Sequence, residues 1–187
     1  MDNPPRVAVL LAEGFEEIEA VAVIDVLRRG GAAVRLASLG AAERGVTGAH
    51  QIVVMPDTSL DGLRAANLDL VVLPGGMPGS ATLAADRRVL ALLQAVHAAG
   101  GIVAAICAAP IALQAAGLLA GRRVTCYPSV ASRLDGAQVT GHSVETDGRI
   151  ITSRGPGTAI AFGLELLRAL GRTEAAERLR KDMIVDA

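Results

Sequence analysis

Three short, almost unbroken apolar runs constrain this chain most: residues 7–12 (VAVLLA), 67–73 (NLDLVVL) and 102–106 (IVAAI). A strand that is apolar along its whole length is covered on both faces, as in a parallel sheet. Helical periodicity fills the intervals. Residues 16–29 read as a helix that opens with Glu16, Glu17 and Glu19 and stops at Gly30-Gly31. Asp86 caps another, in which Val89, Leu92, Leu93 and Val96 form the buried stripe. Strands alternating with helices predict an α/β fold with a mostly parallel sheet, and ligands then collect beyond the C-terminal strand ends at a switch point.

Further strands are expected at residues 33–39, 122–126, 138–140, 143–146 and 149–153, with Asp147-Gly148 as a hairpin turn, and residues 45–57 give one or two short strands (50–55, HQIVVM) before a turn at Pro56-Asp57. Thr158 is expected to cap a helix carrying Ile160, Leu164, Leu167 and Leu170, and a charged helix follows over residues 173–181. No repeat, linker or low-complexity segment interrupts the 187 residues, which suit one domain, 1–187, with a sizeable core.

The third apolar run ends in a nucleophile. The segment GIVAAICAAP passes from strand to helix through Cys107, with Ala105 and Ala109 two positions to either side. This is the layout of a nucleophile elbow, a turn too tight for larger flanking side chains. It sets the sulfur beside a helix N-terminus, where free N–H groups favour thiolate over thiol. Cysteine is also a common inert filler of buried strands; the elbow layout favours the reactive reading.

Four loops leave the expected C-terminal strand ends: residues 13–19, 74–79, 107–110 and 154–157. They are also the chemically richest loops in the chain. Pro74-Gly75-Gly76 lacks the lysine and the GxGxxG spacing of a phosphate cradle. Its bare backbone could instead approach an anionic oxygen, or serve simply as a turn. The acids of the first helix complement its dipole, which accounts for two of the three. That helix carries one apolar stripe at Ala20, Val23, Ile24 and Leu27 and a second at Ile18, Val21 and Ala22. A core needs only one, so the second is expected to meet a partner subunit.

Composition excludes several classes. Net charge is −1, and the isoelectric point near 6.3 argues against a dedicated nucleic-acid or anionic-membrane surface. No apolar run approaches the roughly 20 residues that span a bilayer. Residues 1–6 (MDNPPR) lack a signal-peptide layout, and two cysteines suit a reducing compartment, so the expected location is cytoplasmic. Three histidines (His50, His97, His142) without metal-ligand spacing argue against a zinc site, so no metal is expected.

Assembled, these residues resemble the ThiJ/PfpI (DJ-one) superfamily, and within it the branch of the parkinsonism-associated deglycase and YajL. The similarity runs through AEGFEEIEAVAVIDVLRRGG, LDLVVLPGG, IVAAICAAP and ITSRGPGTAIAFGLELL, in the family's order and over nearly the whole chain. It implies a flavodoxin-like three-layer α/β/α sandwich, related to the class I glutamine amidotransferases and usually homodimeric. By position, Cys107 matches the oxidisable nucleophile, and Glu19 matches the acid that hydrogen-bonds it. Gly76 and Ala108 fall at the oxyanion pocket with Gly75 beside them, while Tyr127, Arg154 and Pro156 fall at its lining. Asp25 and Arg29 match positions near the dimer contact; alone they read as a solvated helix pair.

The resemblance implies a cofactor-free glyoxalase III (lyase) or deglycase (hydrolase) acting on methylglyoxal, glyoxal or their early adducts on amines and thiols. A neutral Glu19 would donate to the Cys107 thiolate, the two titrating as a unit. Two departures bear on this. Tyr127 stands where many members carry histidine, and tyrosine holds its proton too tightly to substitute well, which predicts slow turnover. Ala108, not histidine, follows Cys107, which argues against the PfpI-type intracellular cysteine peptidase. The competing expectation is a redox-sensing oxidative-stress protein or chaperone whose Cys107 oxidises to sulfinate. A thiol-bearing dimer without turnover is the third.

Overall fold

Strand β1 (Arg6–Leu11) enters the core at once: after Arg6 every residue of it is buried. In the computed structural model residues 3–185 are described; Met1, Asp2, Asp186 and Ala187, at the ends of the expected 1–187 domain and including part of MDNPPR, lie outside the described residues. In chain order, β1 is followed by α1 (Glu17–Arg29), β2 (Ala33–Ser38), β3 (Val46–Thr47), β4 (Val53–Val54), β5 (Thr58–Ser59) and β6 (Leu70–Leu73). Then come α2 (Gly79–Ala85), α3 (Arg87–Ala98), β7 (Ile102–Ile106), α4 (Pro110–Ala115), β8 (Arg123–Val124) and β9 (Gln138–Val139). The chain closes with β10 (Val144–Asp147), β11 (Ile150–Ser153), α5 (Ala159–Ala169) and α6 (Thr173–Asp182).

The main sheet has the order β10-β11-β7-β6-β1-β2-β5, and every pairing is parallel except β10 with β11. Taking its five longer parallel strands in chain order, the sheet reads 2-1-3-4-5, the flavodoxin-like winding with its switch point between the first and third. Helix α1 packs on α5 and α5 on α6; α2, α3 and α4 contact one another. The result is the α/β/α sandwich that the alternation and the resemblance imply. Strands β6 and β7 are buried throughout (LVVL and IVAAI), which is why they carry no polar alternation.

Register sets the site. Ile106 pairs with Ser153, so Cys107 and Arg154 leave the sheet side by side, and Leu73 pairs with Ala105 one step behind. The loops after β1, β6, β7 and β11 therefore open from four neighbouring strands at one end of the sheet.

Several expectations need correcting. The one or two short strands expected within residues 45–57 are two, β3 and β4; what differs is that residues 50–52 are not strand, Gln51 taking a positive φ of 67°, and that the pair stands antiparallel outside the main sheet. The strand expected over 122–126 is only β8, which pairs with β9 outside the main sheet. Helix α2 escaped the sequence reading because seven residues are too few to show periodicity. Thr158 precedes α5 but does not cap it; its Oγ1 turns back to the Gly155 N–H and carbonyl. Ile160 faces outward on α5, away from buried Leu164 and Leu167.

Helices α1 and α5 pack closely at Gly163, where an added Cβ would lie 2.9 Å from Val26 Cβ. Gly163→Leu is expected to cost about 1–3 kcal/mol of unfolding free energy by overpacking, read by urea denaturation.

Candidate active site

Cys107 is the turn between β7 and α4, and its backbone takes φ 63°, a left-handed conformation rare for a side-chain-bearing residue. Holding it there costs roughly 1–3 kcal/mol. Two hydrogen bonds keep it in place: the Cys107 N–H donates to the Ser153 carbonyl (2.9 Å), and the Tyr127 N–H donates to the Cys107 carbonyl (2.8 Å). The elbow expected from GIVAAICAAP is present, and Cys107 itself carries the strain.

The sulfur is served by local amides more than by a helix dipole. Backbone N–H groups of Ala108 and Gly76 both hydrogen-bond the Cys107 side chain. The Ala109 N–H is occupied by the Ile106 carbonyl, Pro110 has none, and α4 spans only six residues. The favourable helix end expected from sequence thus reduces to the Ala108 N–H.

Gly76 has φ 87°, and a Cβ there would strike the backbone of Gly14, Phe15 and Glu16; only glycine brings its N–H so near. Gly75 is equally constrained: a Cβ there would collide with Glu19 Oε2 and lie 2.6 Å from Cys107 Cβ. Its N–H does not face the sulfur. It donates to Glu19 Oε2 (2.7 Å) and fixes the acid.

Glu19 is fully buried in the first turn of α1. Its carboxyl is coupled to Cys107, and Oε1 has no hydrogen-bond partner among the described residues, so a proton on Oε1 directed at the sulfur would satisfy it. Burial pushes Glu19 up to about 7; the Cys107 and Gly75 hydrogen bonds oppose this, and the Glu16 charge adds to it. Burial likewise pushes the Cys107 thiol up, to about 12, followed by the charge of Glu19 and its hydrogen bond. The Ala108 and Gly76 N–H groups pull the other way.

Burial therefore opposes the thiolate expected from sequence. The upward push from Glu19's charge vanishes once the carboxyl is neutral and donates. One proton shared by the pair is the state the geometry favours, and the two groups titrate together.

The other two acids have separate tasks. Glu16 caps α1, its Oε2 accepting the Glu19 N–H at 2.7 Å. Glu17 leaves the site and accepts from the His50 N–H (2.6 Å), with His50 Nδ1 at 2.8 Å from its other oxygen. Burial pushes Glu17 up, but these bonds outweigh it and hold the carboxyl below its usual range; in return His50 is raised. Glu16, Glu17 and His50 are the group among the described residues whose ligand atoms could meet on one cation. The Glu17 oxygens are already engaged by His50. Sequence spacing missed this cluster because its histidine lies 33 positions beyond Glu17.

Tyr127, Arg154 and Pro156 come together as the lining of one cavity, with Tyr127 half-exposed and its ring packed on Gly155. Arg154 Nη1 donates to the Gly141 carbonyl (2.7 Å). Its positive charge also reaches buried Cys126, opposing the burial that raises that thiol. Asp25 and Arg29 form the expected i,i+4 pair on α1, 2.6 Å apart and half-exposed.

The raised Glu19 has a thermodynamic sign. The folded protein keeps a proton that the unfolded chain releases near 4.5, so stability from this group is full below about pH 4.5 and is lost as pH rises through 7. Wild-type unfolding free energy is expected to fall between about pH 5 and 8 more than that of Glu19→Gln, as chemical denaturation would measure. Equal slopes would refute the burial of an ionisable Glu19.

Residues 5–169 match the DJ-1/PfpI family. Protein dj-1beta of Drosophila melanogaster is 40% identical over 179 residues, 95% of each chain. The crystal structure of Drosophila melanogaster DJ-1beta superposes with a TM-score of 0.94 at 37% identity, over 99% of this chain and 100% of that one. A Caenorhabditis elegans protein named glutathione-independent glyoxalase DJR-1.2 is 36% identical over 177 residues, 94% of this chain and 93% of its own. With a matched segment that takes in Glu19, Gly75, Gly76 and Cys107, the chain belongs to the DJ-1/PfpI family.

Proposed function

We propose that the protein is a cysteine-dependent glyoxalase or deglycase-like enzyme acting on 2-oxoaldehydes or their early adducts on amines and thiols. The observation that carries this reading is the convergence on one sulfur of two backbone N–H donors and a buried, proton-holding carboxyl. The glyoxalase name of a relative 36% identical to this chain supports it.

The chemistry uses the chain's own groups. Cys107 Sγ adds to the aldehyde carbon of methylglyoxal, and the carbonyl oxygen takes the Glu19 proton, giving a hemithioacetal. The carboxylate then moves the C1 proton to C2 while the C1 hydroxyl proton passes to the C2 oxygen, converting the hemithioacetal to a thioester of lactate. Water hydrolyses the thioester and frees the thiol. Overall, one 2-oxoaldehyde and one water become one hydroxy acid. At each addition the Gly76 and Ala108 N–H groups face the charge that develops beside the sulfur. On a hemiaminal adduct the sulfur displaces the amine at C1, the nitrogen leaving with the Glu19 proton, and the hemithioacetal so formed follows the same later steps. Tyr127 supplies no ready base, so Glu19 carries the proton traffic alone and turnover is expected to be slow.

A second reading uses the same cradle: the two N–H donors and the Glu19 proton also suit the oxygens of a Cys107 sulfinate, as in a redox-sensing protein or chaperone.

The second stripe of α1 belongs to this proposal as a homodimer surface. Ile18 and Val21 are 59% and 49% exposed, beside the Asp25–Arg29 pair, and an apolar helix face of this kind is normally covered. Val21→Glu is expected to turn dimers into monomers in light scattering after size exclusion; an unchanged mass would discard this interface.

Product assays with methylglyoxal and glyoxal test the chemistry. Cys107→Ala is expected to abolish hydroxy-acid formation, and Glu19→Gln to lower kcat by about 10²–10⁴-fold. Turnover persisting in both variants would sink the proposal.

A further inference from the structure

Three ligand-type side chains that the proposed chemistry does not use converge where the connection between β3 and β4 meets the start of α1. Glu16, Glu17 and His50 each offer one atom, and the three atoms lie within 4.8 Å of one another. Both carboxylates are buried, at 8% and 4% exposure, whereas the His50 ring faces solvent. His50 Nδ1 stands 2.8 Å from Glu17 Oε2. Backbone bonds lock the two segments together: the Gly14 N–H donates to the Thr47 carbonyl and the Ala49 N–H to the Phe15 carbonyl, both at 2.8 Å.

Each carboxylate has one oxygen anchored by backbone and one left over. Glu17 Oε1 accepts the His50 N–H, and a Cβ on Gly48 would strike that oxygen, so the glycine lets the turn close on it. Glu17 Oε2 faces the imidazole. Glu16 Oε2 accepts the Glu19 N–H, while Glu16 Oε1 has no hydrogen-bond donor and the carboxyl forms no salt bridge among the described residues. A carboxylate more than nine-tenths buried with an oxygen unserved is costly and calls for a partner. Anchoring bonds of this kind are what hold metal-ligating carboxylates in place. Two carboxylates and a neutral imidazole balance one divalent charge, and the ring nitrogen favours a first-row ion over Ca²⁺ or Mg²⁺. Zinc bonds of about 2.0–2.2 Å set neighbouring tetrahedral ligands roughly 3.3 Å apart. The contact between His50 and Glu17 therefore has to open by only about half an ångström, which the exposed His50 side chain is free to do.

We infer that Glu16, Glu17 and His50 form a binding site for a divalent first-row cation, Zn²⁺ above all, that ties the β3–β4 connection to the start of α1. His50 Nδ1 and one oxygen from each carboxylate are the protein ligands, and water completes the coordination. When the ion enters, the proton between His50 Nδ1 and Glu17 Oε2 leaves to solvent. Cys107 is not a ligand. The ion's effect is positional: Glu16 also holds the Glu19 N–H, so a cation on Glu16 steadies the turn that presents Glu19 to the sulfur.

Chelator-stripped wild type, Cys107→Ser and His50→Ala proteins are titrated with Zn²⁺ and Co²⁺. Calorimetry is expected to find one Zn²⁺ per chain in the wild type and in Cys107→Ser alike. Co²⁺ in both is expected to give visible ligand-field bands without a near-ultraviolet thiolate-to-cobalt band. His50→Ala is expected to weaken Zn²⁺ binding by about 100-fold, since even the groups behind metal ligands are worth about 10–100-fold. In wild-type protein, paramagnetic Co²⁺ is also expected to shift the ring-proton resonances of His50 and to leave those of His97 and His142 in place. That reading does not depend on any variant folding. Absence of uptake, uptake lost in Cys107→Ser, uptake unchanged in His50→Ala, or shifts at another histidine alone overturns the inference. None of these measurements involves methylglyoxal, so failed turnover would defeat the proposed enzyme and leave them readable.

Discussion

The contact between the Glu19 carboxyl and the Cys107 sulfur is the constraint on which the rest depends. Two acids buried side by side cannot both ionise cheaply, since each charge raises the cost of the other. The fold resolves this by supplying one proton to the pair and three N–H donors around it. Gly75 holds Glu19, while Gly76 and Ala108 face the sulfur. Removing either acid changes the ionisation of the other, so neither has an independent role.

The backbone is shaped to permit that contact. Cys107 sits at a positive φ, and two consecutive glycines lie where any side chain would collide with Glu19, Cys107 or the Gly14–Glu16 turn. These local costs are offset by the sheet beneath. Strands β6 and β7 are wholly buried, and each large apolar side chain there contributes about 1.5–3 kcal/mol. Rigid strands fix the loops that follow them, and those loops hold Glu19, Gly75, Gly76 and Cys107 together.

The fold was legible where one physical signal dominates. Unbroken apolar runs marked β1, β6 and β7 because a doubly covered strand has no polar face to show. The two-residue strands β3, β4 and β8 left no such trace, since their pairing is set by tertiary neighbours. Cys107 could be picked out by its strand-to-helix setting, and the pairing of Glu19 with it came from the family resemblance. Gly75's service to Glu19 was not readable, because a glycine's sequence context does not say where its N–H points. His50 was missed for a related reason: its bond to Glu17 closes a loop that no local motif encodes.

The partners of the sulfur come from three separated stretches of chain: Glu19 on α1, Gly75 and Gly76 after β6, and Cys107 after β7. The winding that joins them places strand one next to strand three, so the amides and the acid meet only when the central sheet is complete. Before that, on a ribosome or in a partly folded chain, residue 107 is a plain thiol with no acid beside it. Its acid and amide neighbours are acquired only by assembly, and a population of completed sulfur environments is therefore also a count of correctly finished molecules.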